Sequence, residues 1–205
     1  VPIGVPPAIV LATDVFDRYL AENHLLDFAL SAQDDAELER RFLAAPLPGD
    51  VLLALEVFLS AVHWPLAVRS SSLLEDSQYL PFTGVYETFM LPNDSDDIAV
   101  RVDELSIAIR RVYASTFSTR VKTYLRSTPY RLEEEKMAVL VQKVAGERHG
   151  ARWYPDFSGV ARSHNFYPSP PLTADDGIAA VALGMGRAVV EGEQSLMFCP
   201  RDPRH

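Results

Sequence analysis

Residues 137–144, with the sequence Met-Ala-Val-Leu-Val-Gln-Lys-Val, constrain the fold of this chain more than any other segment. A nearly continuous apolar run of this kind, rich in valine, is typical of a strand buried inside a sheet. We therefore predict a buried strand at these positions. Similar but shorter patterns predict further strands at residues 66–69, 85–91, 157–161, 178–183 and 195–198.

Helical patterns lie mainly in the first part of the chain. The longest helix is predicted to follow the acidic run 94–97, because apolar residues recur at spacings of three and four from Ile98 to Val112. It continues towards Leu125 with a break near Ser118, and Pro129 prevents further extension. Earlier helices are predicted over residues 13–20, capped by Thr13 or Asp14, over 34–44, capped by Asp34 or Asp35, and over 51–62.

This order of elements decides the fold class. Helices come first, and strands mixed with one long helix follow, which indicates an α+β fold with a mixed sheet flanked by helices. We expect residues 1–64 to form a helical N-terminal part and residues 65–205 a strand-rich part of the same domain.

Composition excludes several classes of partner. The 205 residues carry a formal net charge of −9, which argues against a nucleic acid or an anionic membrane as the main partner. One cysteine, Cys199, excludes an internal disulfide framework. No apolar run approaches the ~18 residues of a membrane helix, and no signal-peptide pattern is present, so we predict a soluble cytoplasmic protein. Because the first residue is Val1 and not methionine, we expect a piece of a longer chain.

Residues 67–88 carry the clearest chemistry. A short apolar run ends in Arg69, three serines follow at 70–72, and the acids Glu75 and Asp76 come next. Arginine offers a planar fork of donors that matches phosphate oxygens, and serine backbone N–H groups can close around an anion. The segment predicts a polyphosphate clamp between two strands. The acids would either orient Arg69 or act as ordinary loop residues, and the plainer alternative for the whole segment is a strand end with a solvated arginine.

The motifs in this segment also resemble a known family. Val-Arg-Ser-Ser at 68–71, Glu-Asp at 75–76, Phe-Thr-Gly at 82–84 and Glu-Thr at 87–88 resemble a signature of the phosphoenolpyruvate synthase and pyruvate phosphate dikinase family, in its N-terminal nucleotide-binding domain. Matches to other family segments occur at residues 1–4, 113–120, 139–144, 158–163 and 184–192. The resemblance therefore extends over essentially the whole chain.

The resemblance implies an incomplete ATP-grasp-like domain with specific binding residues. Arg69 would hold phosphate charge as the catalytic residue, and phosphate positioning would fall to Ser70, Ser71, Thr83, Gly84, Thr88 and Arg120. Adenine would be bound by the strand and hinge at Gln142, Lys143 and Val144. The family's Mg²⁺ ligands, phosphohistidine domain and pyruvate-binding domain would lie outside this chain in the same polypeptide. Such a piece would be inactive alone. The sequence leaves open whether the complete protein forms a homo-oligomer.

Several alternatives remain at this point. Antibiotic phosphotransferases and glucan dikinases use related nucleotide domains, so the acceptor is open between pyruvate and other molecules. A module that senses adenine nucleotide without transferring phosphate is the third possibility, motivated by the atypical Arg162 and Arg187. A hydrolase built on His63, Ser70 and Asp76 is disfavoured, because no G-x-S-x-G motif surrounds these serines.

No metal site is predicted within the chain. The five histidines and Cys199 show no metal-ligand spacing, and His149 and His164 fall in segments that we predict to be loops. Cys199 is predicted to be a small buried residue and not a nucleophile.

Overall fold

A computed structural model describes residues 3–72, 75, 86–126, 128–186, 188–189 and 195–204. The chain divides into two units, Val1–Val144 and Ala145–His205. The predicted division near residue 64 separates a helical from a strand-rich part of one domain, and it does not coincide with this division between units.

The first unit contains a four-stranded sheet. Its strands are β1 (Ala8–Leu11), β2 (Leu66–Ser72), β3 (Thr88–Leu91) and β4 (Met137–Lys143), in the order β1-β4-β2-β3. The predicted buried strand is confirmed as β4, which lies between β1 and β2. Strand β1 was not predicted, because prolines in residues 2–7 suggested an extended segment only; it forms because β4 offers it a partner along its whole length.

Helices form the rest of the first unit. They are α1 (Thr13–Glu22), α2 (Leu26–Ser31), α3 (Asp35–Ala44), α4 (Gly49–Ala61), α5 (Ile98–Ser115) and α6 (Thr119–Leu125). The predicted caps Asp34 and the acidic run before α5 are confirmed. The long helix ends at Ser115, close to the predicted break, and Ser118 caps α6. The predicted cap of α1 by Thr13 or Asp14 is wrong. Ala12 precedes that helix, and its carbonyl closes the first turn without help from a side chain.

The core of the first unit lies between these helices and one face of the sheet. An aromatic cluster from α1, α3 and α5 fills it, with Phe16 and Tyr19 only 5.0 and 5.4 Å from the Tyr113 ring centroid. Each such pair adds about 0.5–1.5 kcal/mol to the free energy of burial. On β4, Val139 and Val141 are fully buried against the helices, whereas the alternate residues are only half-buried. The opposite face of the sheet is therefore open within this unit.

The second unit is built from hairpins. Strands β5 (Glu147–His149) and β6 (Arg152–Tyr154) pair with each other, and β7 (Phe157–Arg162), β8 (Ile178–Leu183) and β9 (Leu196–Phe198) form a sheet in that order. The three strands of the sheet confirm the sequence prediction. The β5–β6 hairpin was not predicted, because its residues are polar and its strands are too short to show a period of two.

The α+β class is confirmed. Every strand pair in the described residues is antiparallel, so the sheets differ from the mixed sheet that we expected. No single described helix has the length and apolar composition to cross a membrane; Asp35–Ala44 and Gly49–Ala61 meet that test only as a pair, bent by 85°. Cys199 is buried, as predicted.

Candidate functional site

Three of the predicted binding residues share one face of the first sheet. Strand register puts Arg69 opposite Thr88 on β3 and opposite Leu140 on β4, and it puts Ala67 opposite Gln142. Residues directly opposite each other, and residues two apart on one strand, point to the same side of a sheet. Arg69, Thr88 and Gln142 therefore project from the side away from the helices. We call this side the open sheet face, formed by Ala8, Val10, Ala67, Arg69, Ser71, Thr88, Met90, Ala138, Leu140 and Gln142.

The open sheet face combines polar ends with an apolar middle. Arg69 and Thr88 are exposed, and directly opposed side chains of this kind begin about 5 Å apart. Gln142 lies diagonally from Arg69, at a typical distance of roughly 7–8 Å. Between them lie two apolar residues, Ala67, which is buried, and Leu140, which is half-buried. A flat ligand with a polar group at each end would match this pattern.

Ser70 faces the other way. Its hydroxyl donates to Glu75 Oε1 at 2.9 Å, and the Ser72 N–H donates to Glu75 Oε2 at 3.3 Å. The Glu75 N–H in turn donates to the Ser72 hydroxyl at 3.4 Å. Glu75 thus folds back on the end of β2 and holds the strand that carries Arg69. The structure does not bring Ser70 to the open sheet face, whereas Ser71 is there and exposed.

The chain that returns from this loop is anchored by a buried pair. The Tyr86 hydroxyl donates to Glu135 Oε1 at 3.0 Å, just before β4 begins. Both residues are buried, and burial raises the pKa of the Tyr86 phenol and of the Glu135 carboxyl. Sequence reasoning missed this pair, because 49 residues separate its members and neither has a distinctive local pattern. The predicted residues Asp76, Thr83 and Gly84 lie outside the described residues.

The two residues after Gln142 are engaged within the unit. The Lys143 N–H donates to the Pro7 carbonyl and the Val144 N–H to the Pro65 carbonyl, each at 2.9 Å. The Lys143 ammonium lies 5.1 Å from the Trp64 ring centroid, in a cation–π contact. These N–H groups therefore hold β4 in place, and in this arrangement they do not offer donors to a base.

Arg120 lies in a separate cavity on the helical side. This cavity of about 410 Å³ is lined by α3, α5, α6 and the residues leading into β3. Its charged lining residues are three acids and two arginines: Asp35, Glu39, Glu87, Arg111 and Arg120. Glu39 accepts from Arg111 Nε at 2.7 Å, and desolvation, followed by the charge of Glu39, raises the pKa of Glu87. The structure does not bring Arg120 together with Arg69 and Gln142. The cavity was not visible from sequence, because α3 and α5 are far apart along the chain.

The predicted motifs at residues 158–163 and 184–192 lie in the second unit, where the described residues make contacts within the sheet. Gly159 lies against β8 so closely that a Cβ would come within 2.5 Å of the Ala180 carbonyl, and the Ser158 hydroxyl donates to the Gly184 carbonyl at 2.7 Å. Arg162 is exposed at the end of β7, and Arg187 lies outside the described residues. Ser70 is engaged by Glu75, which gives no support to a hydrolase built on that serine.

Comparisons with known proteins identify the family of this chain. A family model for the AMP/ATP-binding domain of pyruvate phosphate dikinase matches residues 1–196. The uncharacterized phosphotransferase YvkC of Bacillus subtilis is 27% identical over 199 residues, covering 93% of this chain and 20% of that protein. A rifampicin phosphotransferase of Streptomyces sviceus is 27% identical (93% and 22% covered), and a phosphoenolpyruvate synthase of Aeropyrum pernix is 24% identical (93% and 24% covered). The chain thus spans a quarter or less of the length of these relatives.

Proposed function

Because the chain belongs to the family of pyruvate phosphate dikinase AMP/ATP-binding domains, we propose that its first unit binds adenine nucleotide across the open sheet face. The observation that carries this proposal is the strand register, in which Arg69, Thr88 and Gln142 share one exposed side of a single sheet. Three polar residues from three strands converge there on an apolar floor. Ligand sites generally have this composition, with a few oriented polar groups around an apolar surface.

Each residue has a distinct role in the proposed complex. The Arg69 guanidinium binds phosphate oxygens with two parallel N–H donors and stabilises the charge that develops when a phosphoryl group leaves. Thr88 and Ser71 donate hydroxyl hydrogen bonds to the same phosphates, and Thr83 and Gly84 remain proposed phosphate contacts of the adjoining loop. Gln142 hydrogen-bonds the base with its side-chain amide, above the apolar surface of Ala67 and Leu140. Ser70 acts indirectly, because it holds Glu75 at the end of β2.

Magnesium is not assigned to the residues of this face. Mg²⁺ requires oxygen ligands, above all carboxylates. The described residues of the open sheet face include no Asp or Glu, so they do not fit that ion. Protein ligands for Mg²⁺ would lie elsewhere in the polypeptide, and the ion would supply positive charge that offsets the charge of the nucleotide phosphates.

We propose for the complete polypeptide a phosphoenolpyruvate synthase reaction: ATP, pyruvate and water give AMP, phosphoenolpyruvate and phosphate. A histidine on another domain would carry the phosphoryl group, and a further domain would bind pyruvate. A second candidate, with an antibiotic as acceptor, is favoured by the similarity to rifampicin phosphotransferases. The third is a nucleotide-sensing module without transfer.

Phosphorus NMR of the full-length protein with ATP and magnesium distinguishes these reactions. Added pyruvate should give AMP, phosphate and phosphoenolpyruvate if the first candidate is correct. A phosphorylated product with rifampicin, and none with pyruvate, would replace it by the second. ATP that is bound but unchanged with either acceptor would support the sensing module.

The nucleotide site itself is tested by binding to the 205-residue chain. Arg69→Ala should weaken ATP binding by roughly 10- to 150-fold, because a hydrogen bond to a charged group contributes about 1.5–3 kcal/mol. Adenosine binding should change little, since adenosine has no phosphate. Gln142→Ala should weaken ATP and adenosine alike. Isothermal titration with both ligands measures the two effects.

The matched control for Arg69 is Arg40→Ala, which removes an exposed arginine from α3. It should leave both affinities unchanged. The assignment of Arg69 to phosphate is wrong if Arg69→Ala weakens adenosine as much as ATP, or if Arg40→Ala has the same effect as Arg69→Ala.

A further inference from the structure

The second unit contains a cluster of metal-ligating side chains that shares no residue with the proposed nucleotide site. Among the described residues, Glu147, His149 and Asp156 each offer a ligand atom, and these atoms all lie within 4.8 Å of one another. His149 Nε2 is 3.8 Å from Asp156 Oδ1, too far for a hydrogen bond. The spacing of the histidines and of Cys199 in the chain gave no sign of this group, because two of its three members are acids and Asp156 comes from another segment.

The hairpin explains how these side chains meet. Glu147 and His149 are two residues apart on β5 and therefore point to the same side. Register pairs Glu147 with Tyr154 on β6, and Asp156 follows Tyr154 by two residues. The turn between the strands is Gly150-Ala151, with a φ of +65° at Gly150, as short hairpin turns of the primed types require.

Gly146 brings the two ends of the hairpin together. Its φ is +125°, and a Cβ there would come within 2.4 Å of the Tyr154 carbonyl carbon and 2.5 Å of the Pro155 nitrogen. No other residue type fits this approach without a shift of the backbone. The close contact holds Glu147 beside the segment that carries Asp156, so the cluster is a product of the backbone and not of chance side-chain positions.

The histidine supplies a second and independent observation. His149 Nε2 is buried and has no hydrogen-bond partner within the part of the chain that the structure describes, although the imidazole has a polar atom there in either tautomer. A buried polar atom without a partner is unfavourable, and a ligand at that atom would remove this cost. The ring is held in its orientation by stacking on Tyr154, with centroids 4.1 Å apart and planes inclined by 16°.

We propose that Glu147, His149 and Asp156 bind one divalent transition-metal ion of the Zn²⁺ type. One imidazole nitrogen and two carboxylates are a ligand set that Zn²⁺ accepts, with water in the remaining position. Bonds of about 2.0–2.2 Å in tetrahedral geometry set ligand atoms roughly 3.3 Å apart. Closure from the present separations requires only side-chain rotation of Glu147 and Asp156, which are exposed.

The surroundings are compatible with a bound cation and a water ligand. A cavity of about 370 Å³, lined by Gly146, Glu147, Pro155, Asp156 and Phe157, opens beside the cluster. Arg152 would oppose the ion with its positive charge, because it lies opposite His149 on β6. The metal would join the start of β5 to the start of β7, and it would stabilise a hairpin that has little apolar burial of its own.

Binding of Zn²⁺ alone to the 205-residue chain, without a histidine tag, tests the site. We expect one ion per chain, and a visible d–d spectrum of low-symmetry type when Co²⁺ replaces Zn²⁺. His149→Ala and Asp156→Asn should each weaken Zn²⁺ by more than about tenfold. Arg152→Ala should strengthen it several-fold, an effect that a purely structural role of the hairpin would not produce.

His164→Ala is the matched control. His164 Nδ1 lies 3.8 Å from Asp175 Oδ1, the same separation as in the cluster, but it has no third ligand among the described residues. Zn²⁺ affinity should not change in this variant. If His149→Ala does not fold, Glu147→Gln takes its place. Thermal unfolding with and without Zn²⁺ measures both folding and binding in each variant, since an ion that binds the folded state raises the melting temperature.

The site is refuted if Zn²⁺ does not bind in a saturable manner, or if His164→Ala reduces binding and His149→Ala does not. Loss of nucleotide binding to the first unit has no bearing on this result, because none of the three ligands belongs to that unit.

Discussion

Arg69 and Ser70 are neighbours in the chain, yet their side chains lie on opposite faces of the sheet and have different partners. Successive residues of a strand point to opposite faces, so Arg69 projects from the open sheet face while Ser70 bonds Glu75 on the other side. A motif read from sequence groups both as phosphate ligands. The structure separates a group that can contact a ligand from one that holds the strand end in position.

Glu135 provides a prediction at the residue scale. Burial raises its pKa above the usual value of 4.5, against the opposing hydrogen bonds from Ser72 and Tyr86. The folded protein therefore keeps a proton that the unfolded chain releases, so this stabilising contribution is complete below about pH 4.5 and is lost as pH rises through the raised pKa. Glu135→Gln keeps an acceptor for Tyr86 and has no charge to bury. It should gain stability relative to the wild type as pH rises from about 4 to 7, measured by urea unfolding.

Glu133→Gln is the control for this experiment, because Glu133 is exposed in the adjoining short turn. It should show no such pH-dependent gain. A stability difference for Glu135→Gln that is the same at every pH would contradict the buried-charge explanation.

At the scale of elements, helix boundaries follow local chemistry. The longest helix, α5, begins at Ile98 because the Asp97 carboxylate accepts a hydrogen bond from the Ala99 N–H at 2.9 Å. It ends near Ser118, whose hydroxyl caps the next helix. Both features concern residues two or three apart, and for that reason the sequence predicted them correctly.

Asp97→Ala should lower the free energy of unfolding by about 1 kcal/mol, within a range of 0.5–2 kcal/mol, because it leaves a helix N–H without its side-chain acceptor. Asp97→Asn keeps the acceptor and should change stability by only a few tenths of that amount. Chemical denaturation gives both values. Asp96→Ala serves as the control, one residue outside the cap, and an equal loss there would show that net charge and not capping is responsible.

At the scale of the whole molecule, the first unit depends on one core between the helices and the sheet. Leu59 on α4 is fully buried in that core, whereas Leu53 on the same helix is 62% exposed. The two residues have the same chemistry and the same helix propensity. They differ in what surrounds them.

Leu59→Ala should destabilise the first unit by about 2–5 kcal/mol, through lost burial and a residual cavity. Leu53→Ala should stay within about 0.5 kcal/mol of the wild type. Equilibrium unfolding supplies the free energies, and hydrogen exchange of the β4 amides shows whether the loss reaches the sheet. Similar effects of the two substitutions would mean that the face of α4 that packs on the core has been assigned incorrectly.

The sequence by itself determined most helices and strands, the α+β class and the family, because periodicity, caps and motif order are properties of residues close together in the chain. The short helix α2 was not predicted. Only the tertiary structure decided which of the predicted site residues share a face. The placement of β4 between β1 and β2 decides whether Gln142 lies near Arg69, and that pairing joins residues more than 70 positions apart. The Tyr86–Glu135 bond and the Glu147, His149 and Asp156 cluster likewise depend on register. Strand register arises from the packing of the whole sheet or hairpin, and no local pattern encodes it.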